Sequence, residues 1–236
     1  VMLACLNNLG YAAEWRVINA ADYGEPQRRR RVFIVAYHKT TKIYRKMMKL
    51  PLRLRGKKVM EEMGILQNAF PSGKVDKTAE ITIDNNIELV SKNFNDDENL
   101  SPFKNAGILI NSKVTTARLA CSYKGEKLVL GDIIDYNNDN VDEEYFISKK
   151  ELYGEKGWAF QKNAKAIPKK SKNGYEYIYK EGDMDWPDKL DKPSRTIITS
   201  EGGKPPTRSK HIIKVDDRYR RLTPVELDQL SGFKMD

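Results

Sequence analysis

The feature that most constrains this chain is a run of four arginines, Arg28 to Arg31, placed between a turn and an apolar segment. Gly24-Glu-Pro26 predicts the turn, and the β-favouring residues 32–36 predict a buried strand directly after the arginines. Arginines in this setting are held by the fold, unlike those of a solvated tail. We therefore expect them to be presented to a partner.

Strand geometry divides this segment into two faces. Because side chains alternate along a strand, three residues should point one way, Gln27, Arg29 and Arg31, and the intervening Arg28 and Arg30 should point the other way. One face can then bind a single anionic or carbonyl-bearing group.

Length and composition set further bounds. The 236 residues are enough to bury a core as one large domain or two smaller ones. The sequence has no apolar run near the roughly 18 residues that a membrane span needs and no signal-peptide pattern, so we expect a cytoplasmic protein without membrane contact. Two cysteines, Cys5 and Cys121, predict neither a disulfide framework nor a metal site.

The positive charge is clustered. The net charge is +9, and residues 39–58 contain nine basic residues and no acidic one. Such clusters are typical of proteins that bind nucleic acid, although an ordinary solvated basic face gives the same pattern. Because Pro51 and Gly56 interrupt residues 39–58, we interpret this segment as a basic hinge between two regions.

Periodicity predicts short elements around this hinge. Residues 1–9 fit a helix ended by Gly10, and residues 14–18 fit a strand. Residues 59–190 predict an irregular, β-rich region whose short apolar or aromatic runs lie between polar turns. These runs are 80–83, 107–110, 127–130 and 175–179.

Two patterns stand out near the C-terminal end. A β-like run at 196–199 leads into the turn Gly202-Gly-Lys-Pro-Pro206, which basic residues follow; a rigid loop of this kind suits DNA phosphates and base edges, although a plain surface hairpin is the alternative. Thr223, Pro224 and Glu226 form a capping box with proline at the first helical position, which predicts a short helix that ends at Gly232.

Three segments in this order resemble the C-terminal half of DNA cytosine-5 methyltransferases. Gln27-Arg28-Arg29-Arg30-Arg31 looks like the Gln-x-Arg-x-Arg motif of that family. Residues 194–203 are similar to a stretch of its target recognition domain, and residues 220–233 to the helix motif after that domain. The resemblance implies an α/β fold, part of a Rossmann-like S-adenosylmethionine-dependent methyltransferase domain, plus an irregular, β-rich target recognition domain.

The resemblance also implies domain boundaries. Residues 1–38 would belong to the catalytic domain, 39–58 to the hinge, 59–219 to the target recognition domain, and 220–236 to a helix that packs back toward the hinge and catalytic domain. The partner would be duplex DNA, in a prokaryotic cytoplasm, and the complete enzyme would be a monomer of restriction-modification type.

In this family a cysteine thiolate adds to C6 of a flipped cytosine, and C5 then takes the methyl group of S-adenosylmethionine. The resemblance implies that Arg31 contacts O2 of the cytosine, with Arg29 and Gln27 beside it as the other catalytic-motif residues. Addition at C6 moves negative charge onto O2, which a fork-shaped guanidinium stabilises. Extrusion of the base costs a few kcal/mol, which DNA contacts must offset.

The remaining implied roles fall into two sets. The expected DNA contacts are Arg195, Thr196, Thr199, Ser200, Lys204, Arg208, Lys210 and His211. The expected structural residues of the last motif are Arg220, Thr223, Pro224 and Glu226.

The chain also departs from the family pattern. It lacks the Phe-x-Gly-x-Gly cofactor loop, and both cysteines follow alanine, whereas the family nucleophile follows proline. Glu98-Asn99-Leu100 resembles the family's Glu-Asn-Val motif but lies after the arginines, so we treat it as chance. We therefore expect a partial chain whose S-adenosylmethionine site lies mostly elsewhere and which alone transfers no methyl group.

Two other functions compete with this interpretation. A non-catalytic DNA-binding or specificity subunit would keep the recognition region without the chemistry. A basic RNA-binding protein explains the charge but not the order of the three motifs.

Overall fold

The computed structural model describes residues 1–93 and 101–233, and these form two compact units. Unit 1 contains residues 1–23 and 30–125, and unit 2 contains residues 24–29 and 126–236. The units divide the chain at other positions than the predicted domain boundaries. Glu98-Asn99-Leu100 and residues 234–236 lie outside the described residues.

Unit 1 is built on a five-stranded sheet in which every neighbouring pair is antiparallel. The strands are β1 (Tyr11–Asn19), β2 (Arg30–His38), β3 (Thr78–Thr82), β4 (Ala106–Ile110) and β5 (Lys113–Ala117), in the order β2-β1-β4-β5-β3. The helices are α1 (Met2–Asn8), α2 (Lys42–Met48), α3 (Leu52–Lys58), α4 (Ile65–Ala69) and α5 (Ile87–Lys92), with a π-helical turn at Val59–Met63. The unit is therefore mixed α and β.

Residues 39–58, which we interpreted as a basic hinge, contain α2 and α3, and both helices belong to unit 1. Thr41 caps α2 by accepting a hydrogen bond from the Tyr44 amide. Met47 is fully buried and joins the main hydrophobic cluster of the sheet. The two helices differ in packing: α2 buries Met47, whereas in α3 only Gly56 is buried and Leu52 and Leu54 are 62% and 39% exposed.

The prediction that the strand after the arginines is buried is wrong. β2 is the edge strand of the sheet, and Val32, Phe33 and Ile34 are 58%, 42% and 39% exposed. Its neighbour β1, an interior strand, is buried over most of its length, including two charged residues. Glu14 accepts hydrogen bonds from the Tyr37 hydroxyl at 2.5 Å and the Leu66 amide at 2.9 Å, and Arg16 donates to the carbonyls of Met60 and Phe70.

Unit 2 contains short elements around smaller cores. They are α6 (Lys149–Tyr153), α7 (Trp158–Lys162), the hairpin β6 (Lys165–Lys170) and β7 (Glu176–Glu181), the hairpin β8 (Ile213–Val215) and β9 (Arg218–Arg220), and α8 (Pro224–Leu230). One core includes Leu130, Leu222 and Leu230, and another includes Trp158 and Ile212. Two predicted β-like runs, 127–130 and 196–199, are not strands; Leu130 instead begins a 3₁₀ turn.

Candidate nucleic-acid interface

The first part of the arginine segment lies in unit 2 beside the residues that follow Pro193. The Ser194 amide donates to the Pro26 carbonyl at 2.7 Å, and the Arg28 amide donates to the Ser194 carbonyl at 2.9 Å. The Thr196 hydroxyl donates to the Arg28 carbonyl at 2.6 Å. The structure thus brings together two of the three segments that resemble the methyltransferase motifs.

Gln27 is 3% exposed and lies against the end of α8. Its side-chain amide donates to the Leu230 carbonyl at 2.9 Å, whereas Oε1 is buried without a hydrogen-bond partner among the described residues. Because Gln27 and Arg29 precede β2, strand alternation does not place them on one face with Arg31. The predicted grouping of these three residues therefore lacks its assumed geometric basis.

Arg30 and Arg31 begin β2 in unit 1, where they pair with Asn19 and Ile18 of β1. Neighbouring residues of a strand point to opposite faces, so the predicted separation of Arg30 from Arg31 follows from this register. Both arginines are exposed, as are Arg28 and Arg29. Arg31 donates to the Arg30 carbonyl at 2.7 Å, and Arg30 lines a cavity of about 870 Å³.

Residues 195–211 of unit 2 form a loop that we call the recognition loop, and several of its cations are turned inward. Arg195 forms a two-pronged ion pair with Asp188, at 2.9 and 3.1 Å. The same guanidinium donates to the carbonyls of Ser209 and Lys210, at 2.7 and 3.0 Å. Arg195 therefore joins the two ends of the loop.

Lys210 is 2% exposed, and its ammonium donates to the carbonyls of Gly203 and Pro205, both at 2.8 Å. Burial lowers its pKa. The fully buried Lys162 donates to the carbonyls of Arg208 and Lys210, and burial followed by the charge of Arg195 lowers the pKa of Lys162 to about 8. Lysines thus satisfy backbone carbonyls inside the loop.

His211 is buried as well and pairs with Glu201. Nδ1 of His211 lies 2.9 Å from Oε1 of Glu201, which also accepts the His211 amide. Burial opposes ionisation of Glu201, but the hydrogen bond and charge of His211 outweigh it and lower the pKa of the carboxyl. This placement removes the physical basis for direct DNA contacts by His211 and Lys210.

The exposed part of the loop is smaller than the sequence suggested. Four predicted contacts have exposed side chains: Thr196, Thr199, Ser200 and Lys204. Lys204 makes a 3.2 Å ion pair with Glu144 at the surface. Arg208 is partly buried and lies 3.5 Å from Glu181. Sequence reasoning missed Lys162, Asp188 and Glu201. Lys162 is 46 and 48 residues from its two carbonyl partners, and the pairings of Asp188 with Arg195 and of Glu201 with His211 follow no helix or strand periodicity.

The predicted capping box and short helix are confirmed. The Thr223 hydroxyl accepts a hydrogen bond from the Glu226 amide, and the Glu226 carboxylate accepts one from the Thr223 amide, with Pro224 as the first residue of α8. Gly232 has a φ of +89° just after the helix. Glu226 also forms a buried, two-pronged ion pair with Arg220, at 2.8 and 2.6 Å, which fixes the start of α8 to β9.

Comparisons with known proteins show the family of the chain. The family model described as C-5 cytosine-specific DNA methylase matches residues 1–236. The type II methyltransferase M.Sau3AI of Staphylococcus aureus is 37% identical over 239 residues, which are 99% of this chain and 53% of that protein. The chain thus spans about half the length of this relative. No solved structure gives a significant match. In the part of the chain that the structure describes, no helix is long and apolar enough to cross a membrane.

Proposed function

This chain belongs to the C-5 cytosine-specific DNA methylase family, and on that premise we propose that it takes part in methylating cytosine at C5 in a specific site of duplex DNA. The observation that carries the proposal is the presentation of Arg28 to Arg31. All four side chains are exposed, while the backbone on either side is fixed by Ser194 in unit 2 and by β1 in unit 1. Fixed cations of this kind suit a charge that develops during a reaction.

Arg31 is proposed to contact O2 of the flipped cytosine, with Arg29 beside it. When a nucleophile adds to C6, negative charge moves through the ring onto O2. A guanidinium cannot lose its proton at neutral pH and offers parallel donors, so it stabilises this charge without a proton transfer. Gln27 is proposed as a positioning residue, because its side chain holds the segment against the last turn of α8.

The proposed DNA contacts of the recognition loop are its exposed members, Thr196, Thr199, Ser200 and Lys204. Hydroxyl groups and a lysine suit phosphates and base edges. The cations of the loop that bind its own carbonyls, the half-buried Arg195, the buried Lys210 and the adjoining buried Lys162, are proposed to hold it in shape. Arg208 has the same supporting role through Glu181.

The cavity of about 870 Å³ beside Arg30 does not fit S-adenosylmethionine, the methyl donor that the family implies. It is lined by Arg30, Lys104 and Arg118 with Asp22 as its acidic residue, so it repels a sulfonium cation. We therefore assign no cofactor contact to these residues. The nucleophile and donor site are proposed to come from sequence other than these 236 residues.

A non-catalytic specificity subunit is the second candidate. It is favoured by one observation, that neither Cys5 nor Cys121 follows proline as the family nucleophile does. Such a subunit would bind the same DNA site. The complete protein that contains it would then bind DNA without transferring a methyl group.

The test is a methyl-transfer assay in two arms. The complete gene product is incubated with duplex DNA and S-adenosylmethionine labelled in the methyl group, and bisulfite sequencing then locates the modified base. The 236-residue chain alone forms the second arm. We expect 5-methylcytosine at one recurring sequence in the first arm and none in the second. DNA binding without methyl transfer in both arms would favour the specificity subunit.

A further inference from the structure

The hairpin of β6 and β7 is an exposed ribbon that none of the predicted sites includes. Its two strands pair from Lys165 with Glu181 to Lys170 with Glu176, and they form a two-stranded sheet of their own. A turn closes the ribbon, with Gly174 at a φ of +82°. Nearly every residue of both strands is exposed or half-buried on each face.

The ribbon carries an excess of positive charge. Residues 165–181 contain five lysines and two glutamates. Both glutamates are paired, Glu181 with Lys165 at 2.9 Å and Glu176 with Lys170 at 3.3 Å. Among the described residues no carboxylate lies within ion-pair distance of the other three lysines, which are Lys169, Lys172 and Lys180. These three cations are exposed and available to a polyanion.

One face of the ribbon is aromatic. Tyr177 and Tyr179 alternate along β7 and share a face, and Tyr175 lies directly before the strand; the three are 41%, 36% and 72% exposed. Tyr175 and Tyr177 are stacked, with ring centroids 6.5 Å apart, and the Lys169 ammonium lies 3.9 Å from the ring of Tyr179. A solvent-exposed aromatic face bordered by lysines marks an interaction surface.

The base of the ribbon is fixed to the recognition loop. Arg208 donates to the Gly182 carbonyl and lies 3.5 Å from Glu181, while the Ala164 amide donates to Asp183. Lys162, directly before the hairpin, is bonded to the carbonyls of Arg208 and Lys210. The ribbon and the recognition loop are therefore parts of one structure within unit 2.

We propose that this ribbon enters a groove of duplex DNA, with Lys169, Lys172 and Lys180 at phosphates and the tyrosine face toward base edges. The proposal rests on the proposed function for its partner. Strands of six residues extend for about 20 Å, and the major groove, about 12 Å wide, admits a two-stranded β-ribbon. Three exposed cations match the charge of the phosphate backbone, and tyrosine hydroxyl groups can donate to and accept from base edges.

The test compares two triple variants of the full chain by fluorescence anisotropy with a labelled random-sequence duplex. The ribbon variant is Lys169→Gln/Lys172→Gln/Lys180→Gln. The control, Lys149→Gln/Lys150→Gln/Lys156→Gln, removes the same charge from exposed lysines elsewhere in unit 2. We expect about a tenfold loss of affinity and a salt slope shallower by about 2 to 3 for the ribbon variant, against a much smaller change for the control. Equal losses in both variants would overturn the proposal.

A second pair of variants tests the aromatic face. Tyr175→Ser/Tyr177→Ser should weaken binding severalfold while leaving the salt slope unchanged, whereas Tyr153→Ser, at a tyrosine that is 64% exposed on α6, should have no effect. Ribbon-dependent binding that prefers structured RNA to the duplex would overturn the choice of partner.

The result is separable from the proposed function. If the complete protein transfers methyl groups but the two triple variants bind DNA equally well, only the ribbon proposal is contradicted. If DNA binding depends on the ribbon but no methyl group is transferred, only the proposed catalytic role is contradicted.

Discussion

The arginine segment Arg28–Arg31 and the recognition loop 195–211 are both basic, but the structure uses their charges differently. The four arginines are exposed. In the loop, Lys210 and His211 are buried, and Arg195 is bonded to Asp188 and to two carbonyls. The same residue types are therefore exposed in one segment and hold the backbone in the other.

The difference lies in the acceptors available to each segment. The recognition loop turns back on itself, so its own carbonyls and the carboxylates of Asp188 and Glu201 surround the cations. A buried cation is tolerated only when such acceptors replace water. The arginine segment begins an edge strand, where solvent remains the main neighbour. Mutations should consequently affect chemistry in one segment and stability in the other.

The largest expected effect is that of Arg31→Ala in a methylation-competent protein. We expect kcat/KM to fall by about 100-fold to 1000-fold, because the variant has no fixed donor to the developing charge. The dissociation constant for DNA should change by less than about threefold. Arg30→Ala, which removes the neighbouring exposed guanidinium on the opposite face, is the control. Parallel losses of turnover and affinity in Arg31→Ala would show an ordinary phosphate contact.

Arg195→Met should act on stability. It leaves Asp188, which is 9% exposed, without its cation, so we expect the free energy of unfolding to fall by about 2 to 3 kcal/mol in urea denaturation. Arg29→Met, which removes an exposed arginine, should change it by less than about 0.5 kcal/mol. If the two variants are equally stable, the proposed division between the segments is wrong.

Lys162 gives the loop a pH dependence. Its pKa is lowered to about 8 by burial, from the ordinary value of 10.5. Between these two values the unfolded chain binds more protons, so this lysine adds stability above pH 10.5 that is lost as the pH falls toward 8. The measurement is the difference in the free energy of unfolding between the parent chain and Lys162→Met. This difference should rise by roughly 1.5 kcal/mol from about pH 8 to about pH 9.5. A flat difference would show that Lys162 titrates normally.

The smallest expected effect is that of Lys204→Gln, at the exposed tip of the loop. This substitution removes one lysine contact to the DNA phosphates. It should therefore weaken DNA binding about threefold and reduce the salt dependence of binding by about 1, without a change in the melting temperature of the protein. Lys149→Gln, at an exposed lysine of α6, should leave both quantities unchanged. A Lys204→Gln variant that keeps the full salt slope would remove this residue from the interface.

Local signals in the sequence predicted the short elements well. The helix α1 before Gly10, the strand β1 and the capping box of α8 follow from periodicity and capping, which depend on neighbouring residues. The order of three motifs was sufficient for the family. The strand after the arginines was also predicted, although its exposure was not.

Exposure, in contrast, depends on which segments become neighbours. A strand with the composition of β2 would be buried if it lay between two other strands, and it is exposed when it lies at the edge of a sheet. The sequence of residues 32–36 does not distinguish these two positions. The same holds for residues 39–58, where Pro51 precedes α3 and separates it from α2, and only the tertiary structure places Met47 of α2 in the core of unit 1.

The sequence by itself therefore determined the family and several local elements, because their signals lie in short stretches of contiguous residues. The tertiary structure alone decided which cations can reach a partner. Asp188 and Glu201 lie close to Arg195 and His211 only after the chain has turned back, and the burial that results costs free energy unless such acceptors are present. That pairing turned predicted DNA contacts into the internal support of the loop.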